Sequence, residues 1–378
     1  MQALLSNEFY FRFVTAITVA VIASNCNAQR VKSPEVHGDG SVTIRHMAPK
    51  AESVTVQISR VPYGKIDLQK GSSGLWEGRS KPLPPGIHEY SFNVDGNRQI
   101  DPLNRWVKKW YSLASLVEVP GEPALLSEKQ MVPHGSMHSH TYASNVTGGD
   151  RSVLVYTPPG YENGRQDYPI LFLLHGFGDD YLAWTEVGRA NWIADNLLAQ
   201  KKMKPMIIVM PYGHPEPLPY GQRQTDYGSR NDAKMEQDVM TEVLPLVEKC
   251  YRCKDATDAR GIVGLSMGGG HSLRIGLGNL DTFGWVGAFS AAAPSGDSLG
   301  KDFPGLKKNS KSLRKLWIAC GDKDFLLERN QSFVAALKEA KIAHDYVETR
   351  GSHNWSVWRD DYLPKFLQLV FQENSSIY

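Results

Sequence analysis

Arg260-Gly-Ile-Val-Gly-Leu-Ser-Met-Gly-Gly269 decides how this chain is read. A short apolar run, Ile262-Val263, leads into Gly264-Leu265-Ser266-Met267-Gly268, and a small-residue stretch, Gly268-Gly269-Gly270, opens the next segment. Gly-x-Ser-x-Gly between a strand and a helix is the pattern of a sharp turn that lifts a serine hydroxyl above the C-terminal edge of a sheet. The flanking glycines are needed because side chains there would collide. Ser266 is therefore the candidate nucleophile, and a parallel sheet flanked by helices is the fold that such a turn requires.

Outward from this turn, apolar strands alternate with amphipathic helices from Arg151 onward. That alternation predicts an α/β domain whose mostly parallel central sheet is covered on both faces. Expected strands are Ser152 to Thr157, Ile170 to Leu174, Met206 to Met210, Gly261 to Val263, Trp285 to Phe289, Leu316 to Cys320 and His344 to Glu348. Helices are expected over Trp184 to Gln200, Lys234 to Lys249, Gly268 to Leu277, Glu328 to Ala340 and Trp358 to Phe371.

A serine hydroxyl is a weak nucleophile and needs a base, and in this arrangement the acid and then the histidine follow the serine along the chain. His353, in Gly351-Ser-His-Asn-Trp355 between the last strand and the last helix, fits the base; His271 lies inside the nucleophile helix and His344 opens a strand. Cys320-Gly-Asp-Lys-Asp324 follows the preceding strand and offers two carboxylates. Asp324 is the candidate acid, because Gly321 and Asp322 turn the chain off the strand; Asp322 is the alternative, otherwise a turn or loop-capping residue. The oxyanion needs fixed backbone donors. Met267 supplies one, and Phe177 in His175-Gly-Phe-Gly178, after the apolar strand Ile170 to Leu174, is the candidate for the other. His175 is read as a buttress of that loop.

Before this domain, short alternating stretches such as Ser53 to Ile58 and His88 to Val94 are separated by turn signals at Lys81 to Gly86 and at Asp95-Gly96. They predict an all-β sandwich over 36–118. A linker-like stretch comes next, holding His134, His138 and His140 with no carboxylate or cysteine at ligand spacing, so these read as solvated or strand-borne. The α/β domain is placed at 130–378.

At 378 residues there is room for two such domains, and 41% apolar, 22% charged residues and a net charge of +2 describe a globular chain, not one that coats nucleic acid. Arg12, the apolar run Phe13 to Ala23 and the small-residue end at Ala28 read as a cleavable export signal over 1–28, too short to span a bilayer. A secreted or periplasmic protein is expected, with lipidation at Cys26 a minor alternative. Cys250-Tyr-Arg-Cys253 has no second pair and reads as a helix-end pair able to form a local disulfide. No metal and no cofactor are expected.

Taken together, Leu174 to Asp180, Lys204 to Gly213, Arg260 to Gly269 and Gly351 to Trp355 resemble the esterase D family. More narrowly they resemble its carbohydrate-esterase branch, the feruloyl and acetylxylan esterases, with enterochelin-esterase-like proteins as relatives. The resemblance runs from about Met131 to the C-terminus. It implies an α/β-hydrolase fold, Ser266, Asp324 and His353 as a triad, and Trp184, Tyr212 and the pair Asp179-Asp180 near the substrate. Asp39 to Arg45, Gly74 to Glu77, Pro84 to Tyr90 and Val94 to Gly96 with Asp101-Pro102 resemble the early-set immunoglobulin-like domain that precedes many such esterases. In some relatives that domain binds glycan, and Trp76, Trp106 and Trp110 would then be a platform; here Trp76 and Tyr90 are instead expected to pack the sandwich, with the domain orienting the esterase or supplying a lid.

The function expected from this is a serine carboxylesterase acting on feruloyl or acetyl groups of a polysaccharide such as xylan. Siderophore-type and general carboxylesters are the alternatives. A glycan-binding protein that kept the fold without chemistry is a reading of another class, and the complete Ser, Asp, His and oxyanion set argues against it.

Overall fold

The computed structural model describes residues 31–109, 113–218 and 226–372; the expected export signal, Cys26 and Trp110 lie outside them. An eight-stranded mixed sheet organises the larger part. Its strands are β1 (Ser136–Ser144), β2 (Gly149–Thr157), β3 (Ile170–Leu174), β4 (Ile207–Pro211), β5 (Arg260–Leu265), β6 (Trp285–Phe289), β7 (Lys315–Gly321) and β8 (Asp345–Thr349), in the order 1-2-4-3-5-6-7-8. From β4 to β8 neighbouring strands run parallel, while β1 and β2 are antiparallel at one edge. Every residue of β3, β4, β5 and β6 is buried, as expected of strands covered on both faces.

Three of the predicted helices are divided or interrupted. Trp184 to Gln200 becomes Ala183–Glu186 and Ala190–Ala199, broken at Gly188, where a Cβ would lie 2.6 Å from the Trp184 ring. The helix expected from Lys234 starts earlier, at Tyr227, and passes through a wide turn at Val239–Val243 before Leu244–Cys250. Trp358–Tyr362 is a second wide turn, ahead of Leu363–Leu369. Both turns precede a proline, Pro245 or Pro364, whose ring cannot donate and crowds the carbonyl four residues back, so widening the turn relieves the clash.

The stretch expected to be a linker holds a strand instead: Ser136–Ser144 is β1, while Ala114–Val119 closes the sandwich before it. β1 was hard to read because it is an outer strand with mostly exposed or half-buried side chains, so no apolar alternation marks it. His138 and His140 sit on it, contacting Thr157 and Tyr251, while His134 pairs with Asp195. The three histidines therefore share no site. Cys250, Cys253 and Cys320 are free thiols.

The N-terminal part is two antiparallel sheets. One orders Glu35–Val36, Val42–Met47, Leu75–Arg79 and Gln69–Lys70. The other orders Lys65–Asp67, Val54–Ile58, Gly86–Val94, Ala114–Val119 and Val107–Lys108. Their inner faces share a core of Val42, Ile44, Val56, Ile58, Trp76, Tyr90 and Phe92. Trp76 is part of that core, with its indole N–H donated to Ala48.

The sandwich docks on the α/β part through Leu116, Ile87 and Trp106, which pack into the same apolar cluster as Trp184 and Trp355. The Trp106 indole donates to the Glu186 carbonyl at 2.8 Å and lies under the Arg189 guanidinium, which in turn pairs with Glu118. Neither Trp76 nor Trp106 is presented as a glycan platform, because both indoles are spent on packing within or between the two parts.

Candidate active site

β5 delivers its last buried residue, Leu265, directly into the turn at Ser266, whose backbone sits at φ 53 and ψ −115. A non-glycine residue with positive φ is strained, and surrounding contacts must hold it. Here Ser266 N donates to Phe289 on β6 and its carbonyl accepts from Gly270 and Ala292. The glycines are required by close approach: a Cβ on Gly264 would meet the Gly268 backbone at 2.5 Å, and one on Gly268 would meet the His175 carbonyl at 2.4 Å. Helix Met267–Gly278 starts immediately, so its first amides have no carbonyl of the preceding turn to bond.

Across the C-terminal sheet edge, the loops after β7 and β8 lock together. Asp322 accepts the Gly351 amide at 2.9 Å, and Lys323 N donates to the Gly351 carbonyl. This leaves Asp324 facing His353, with Nδ1 2.9 Å from both carboxylate oxygens, and Nε2 3.0 Å from Ser266 Oγ. Asp324 is buried, which alone would raise its pKa; hydrogen bonds from His353, the Leu326 amide and Ser290 outweigh that and hold the carboxyl below its usual range. The imidazole is flanked by Phe325 and by the edge of Trp358, whose indole N–H is donated to Ser290.

On the other side of Ser266 lies the loop after β3. Its histidine is buttressed as expected: His175 Nδ1 lies 2.8 Å from the Gly176 carbonyl and Nε2 accepts the Gly213 amide. A residue that sequence reasoning passed over completes the brace, since Gly178 N donates to His214 Nε2 at 3.0 Å and His214 Nδ1 contacts Tyr227 OH. His214 directly follows the stretch Lys204 to Gly213, so its position was the available signal. Phe177 stands between these two anchored glycines and Met267 opens the helix beyond Ser266.

A cavity of about 480 Å³ opens over Ser266 and His353, a size suited to a small organic group. The α/β part contributes Phe177, Asp179, Phe325, Trp355 and Trp358; the sandwich contributes Ser59, Arg60, Glu89, Arg98 and Lys108. Arg60, itself at φ 61, reaches the His353 carbonyl at 3.4 Å. No local pattern in the N-terminal sequence marks those five residues; they meet the cavity only because the two parts dock.

Of the four residues placed near the substrate, Asp179 lines this cavity and Asp180 a neighbouring cleft. Trp184 and Tyr212 do not line the cavity. Trp184 is only 1% exposed, donating its indole N–H to the Leu174 carbonyl and packing edge-on against Trp355, so it supports the wall from behind. Tyr212 lines a separate cleft with Arg151, Asp180, Tyr181 and His214, because its ring stacks on the far side of His175. Among the described residues no cluster of histidine, cysteine and carboxylate side chains could hold a metal ion.

Residues 144–369 match the family model described as "Putative esterase". An endo-1,4-beta-xylanase/feruloyl esterase of Xylanibacter ruminicola is 31% identical over 90% of this chain, and the chain spans 46% of that relative's length. Among solved structures, a ferulic acid esterase superimposes with a TM-score of 0.55 at 29% identity, covering 63% of this chain and 98% of its own. The enterobactin esterase of Shigella flexneri shares the fold through both parts, with a TM-score of 0.64 at 20% identity over 93% of this chain and 99% of its own.

Proposed function

The chain belongs to the esterase family, and on that premise we propose that it hydrolyses carboxylic esters through an acyl-enzyme formed on Ser266. The observation that carries this reading is the unbroken line from Ser266 Oγ to His353 Nε2 at 3.0 Å and from His353 Nδ1 to Asp324 at 2.9 Å. His353 takes the hydroxyl proton as Oγ attacks the ester carbonyl, and Asp324 holds the imidazole tautomer and stabilises the imidazolium. The amides of Phe177 and Met267 receive the oxyanion. Collapse returns the proton to the departing alcohol, and water, activated by the same histidine, then releases the acid.

The substrate in this reading is a feruloyl or acetyl ester on a plant cell-wall polysaccharide such as xylan. It is supported by the names of the Xylanibacter relative and of the ferulic acid esterase, and by the aromatic side of the cavity at Phe325, Trp355 and Trp358. A second reading, an anionic, aryl-bearing ester of the siderophore type, is favoured by Arg60, Arg98 and Lys108 in the same cavity lining. Export is inferred from the pattern at residues 1–28. Among the described residues no helix is long and apolar enough to cross a membrane.

The test is release of ferulate and of acetate from arabinoxylan, with a siderophore ester alongside, by wild type and Ser266→Ala. Ferulate or acetate release that the variant loses by about 10⁴-fold or more is expected. Retention of hydrolysis by a folded Ser266→Ala protein, checked by circular dichroism, would overturn the mechanism, and release from the siderophore ester alone would overturn the polysaccharide assignment.

A further inference from the structure

Asp179 is a carboxyl of the α/β part that lines the cavity over Ser266. Its side chain is 7% exposed, and Oδ1 has no hydrogen-bond partner among the described residues. Oδ2 and the Ser266 Cβ lie 3.6 Å and 3.5 Å from the point where a Cβ on Gly176 would sit, so the carboxyl and the nucleophile border the same glycine. The loop, not the carboxyl, fixes the residue, since Asp179 N donates to the Gly176 carbonyl. Burial pushes its pKa up to about 7, with Lys108 opposing and Asp180 and Glu89 adding to the rise. Of the charged groups around it, Lys108 and Glu89 come from the sandwich and pair with each other at 2.9 Å, and Asp180 is on its own loop. Arg60, Arg98 and His353 line the rest of the cavity.

A buried carboxyl with an unused oxygen is costly unless something completes it. Among the described residues nothing completes it: Oδ1 is enclosed, and Oδ2, which is not among the enclosed atoms, has no partner, on a residue that lines the cavity where an ester must lie. We propose that Asp179 is a specificity-determining residue whose carboxyl hydrogen-bonds a hydroxyl carried by the ester close to its scissile carbonyl. The site then favours hydroxylated esters over plain ones, because an ester without the hydroxyl covers Asp179 and leaves it unpaired. This rests on Ser266 as the nucleophile. The hydroxyl belongs either to the acyl group or to the alcohol, and both present the same chemistry to a carboxyl.

Three esters separate the possibilities: ethyl 3-phenylpropanoate, its 2-hydroxy analogue, and the 3-phenylpropanoyl ester of glucose. The readout is kcat/KM for each hydroxylated ester divided by that for the plain one, in wild type, Asp179→Ala and the isosteric Asp179→Asn. One ratio is expected to fall about tenfold in Asp179→Ala, the loss of one buried hydrogen bond, and less in Asp179→Asn. In wild type that same ratio should change through a midpoint near pH 7, and Asp179→Asn should abolish the change. The arm that responds identifies the source of the hydroxyl. Ratios unchanged in both arms, whatever happens to absolute rates, would show that Asp179 only shapes the loop and overturn the proposal. Hydrolysis that survives Ser266→Ala would instead bring down the nucleophile assignment on which it rests.

Discussion

His214 Nε2 accepts the amide hydrogen of Gly178 at 3.0 Å, so the loop after β3 is held by a side chain from the loop after β4, its neighbour in the sheet. The tie is reciprocal, because Gly213 beside His214 donates its amide to His175 at 2.8 Å. Each acceptance requires a bare Nε2 and puts the ring proton on Nδ1, toward the Gly176 carbonyl and Tyr227 OH. Burial enforces the neutral form, lowering the pKa of His175 to about 4 and that of His214 to about 2. Phe177, the proposed oxyanion donor, is thus bracketed by two restrained glycines.

Removing one side of this brace should weaken the oxyanion donor more than the binding of substrate. His214→Ala is expected to lower kcat by about 10- to 100-fold with a smaller change in KM, because the donor acts mainly in the transition state. His214→Gln, whose side-chain oxygen can accept the Gly178 amide, should recover part of the loss. Steady-state kinetics on one activated ester checks both variants.

The same histidines make stability depend on pH. Unfolded, each titrates near 6.5; folded, His175 titrates near 4, so between these values the unfolded chain binds the extra proton. Stability should therefore fall as pH drops from 6.5 toward 4, by roughly 1–3 kcal/mol. Urea denaturation at pH 7, 5.5 and 4.5 measures it, and His175→Gln should flatten the slope.

Asp179 acts in the opposite sense. Its folded pKa is raised from 3.8 to about 7, so in that window the folded chain holds the proton, and stability is lost as pH rises through it. Asp179→Asn removes the ionisation and should raise Tm at pH 8 by about 2–4 °C, with little change at pH 4. Thermal melts at the two pH values provide the comparison.

Asp322 and Asp324 should separate cleanly by substitution. Asp324→Asn replaces the carboxylate that faces His353 Nδ1 and is expected to reduce kcat by about 10³- to 10⁴-fold. Asp322 accepts the Gly351 amide instead, so Asp322→Asn should cost less than about tenfold. Comparable losses in the two would contradict the assignment of Asp324.

Gly268→Ala should be among the most damaging small substitutions. The new Cβ would meet the carbonyl oxygens of His175 and Leu174 at 2.4 and 2.6 Å, both backbone atoms that cannot rotate away. A loss of about 3 kcal/mol or more, or failure to fold, is expected from expression and denaturation measurements.

The α/β pattern from Arg151 onward was legible because central strands such as β3 and β5 are buried on both faces and read as continuous apolar runs. The strand-turn-helix at Ser266 was legible because its glycines answer to contacts within a few residues or with the adjoining strand. β1 was not, since an outer strand with mostly exposed or half-buried side chains carries no period in its sequence. Trp184 and Tyr212 show a related limit. An aromatic near a motif can face the ligand or support the wall from behind, and only the packing of Trp184 on Trp355 and of Tyr212 on His175 decides.

What the sequence by itself determined is the candidate groups and their order along the chain: Ser266 in a turn that needs glycines, then the pair Asp322 and Asp324, then His353, each after a strand. Local backbone geometry and strand period are short-range properties, and they are written in neighbouring residues. The tertiary structure alone decided what surrounds that chemistry. The reciprocal tie of His175 and His214, the unpaired carboxyl of Asp179 and the wall of Arg60, Glu89, Arg98 and Lys108 join residues far apart in the chain. Their meeting depends on how two strand ends and the sandwich and α/β parts pack, which no local pattern encodes.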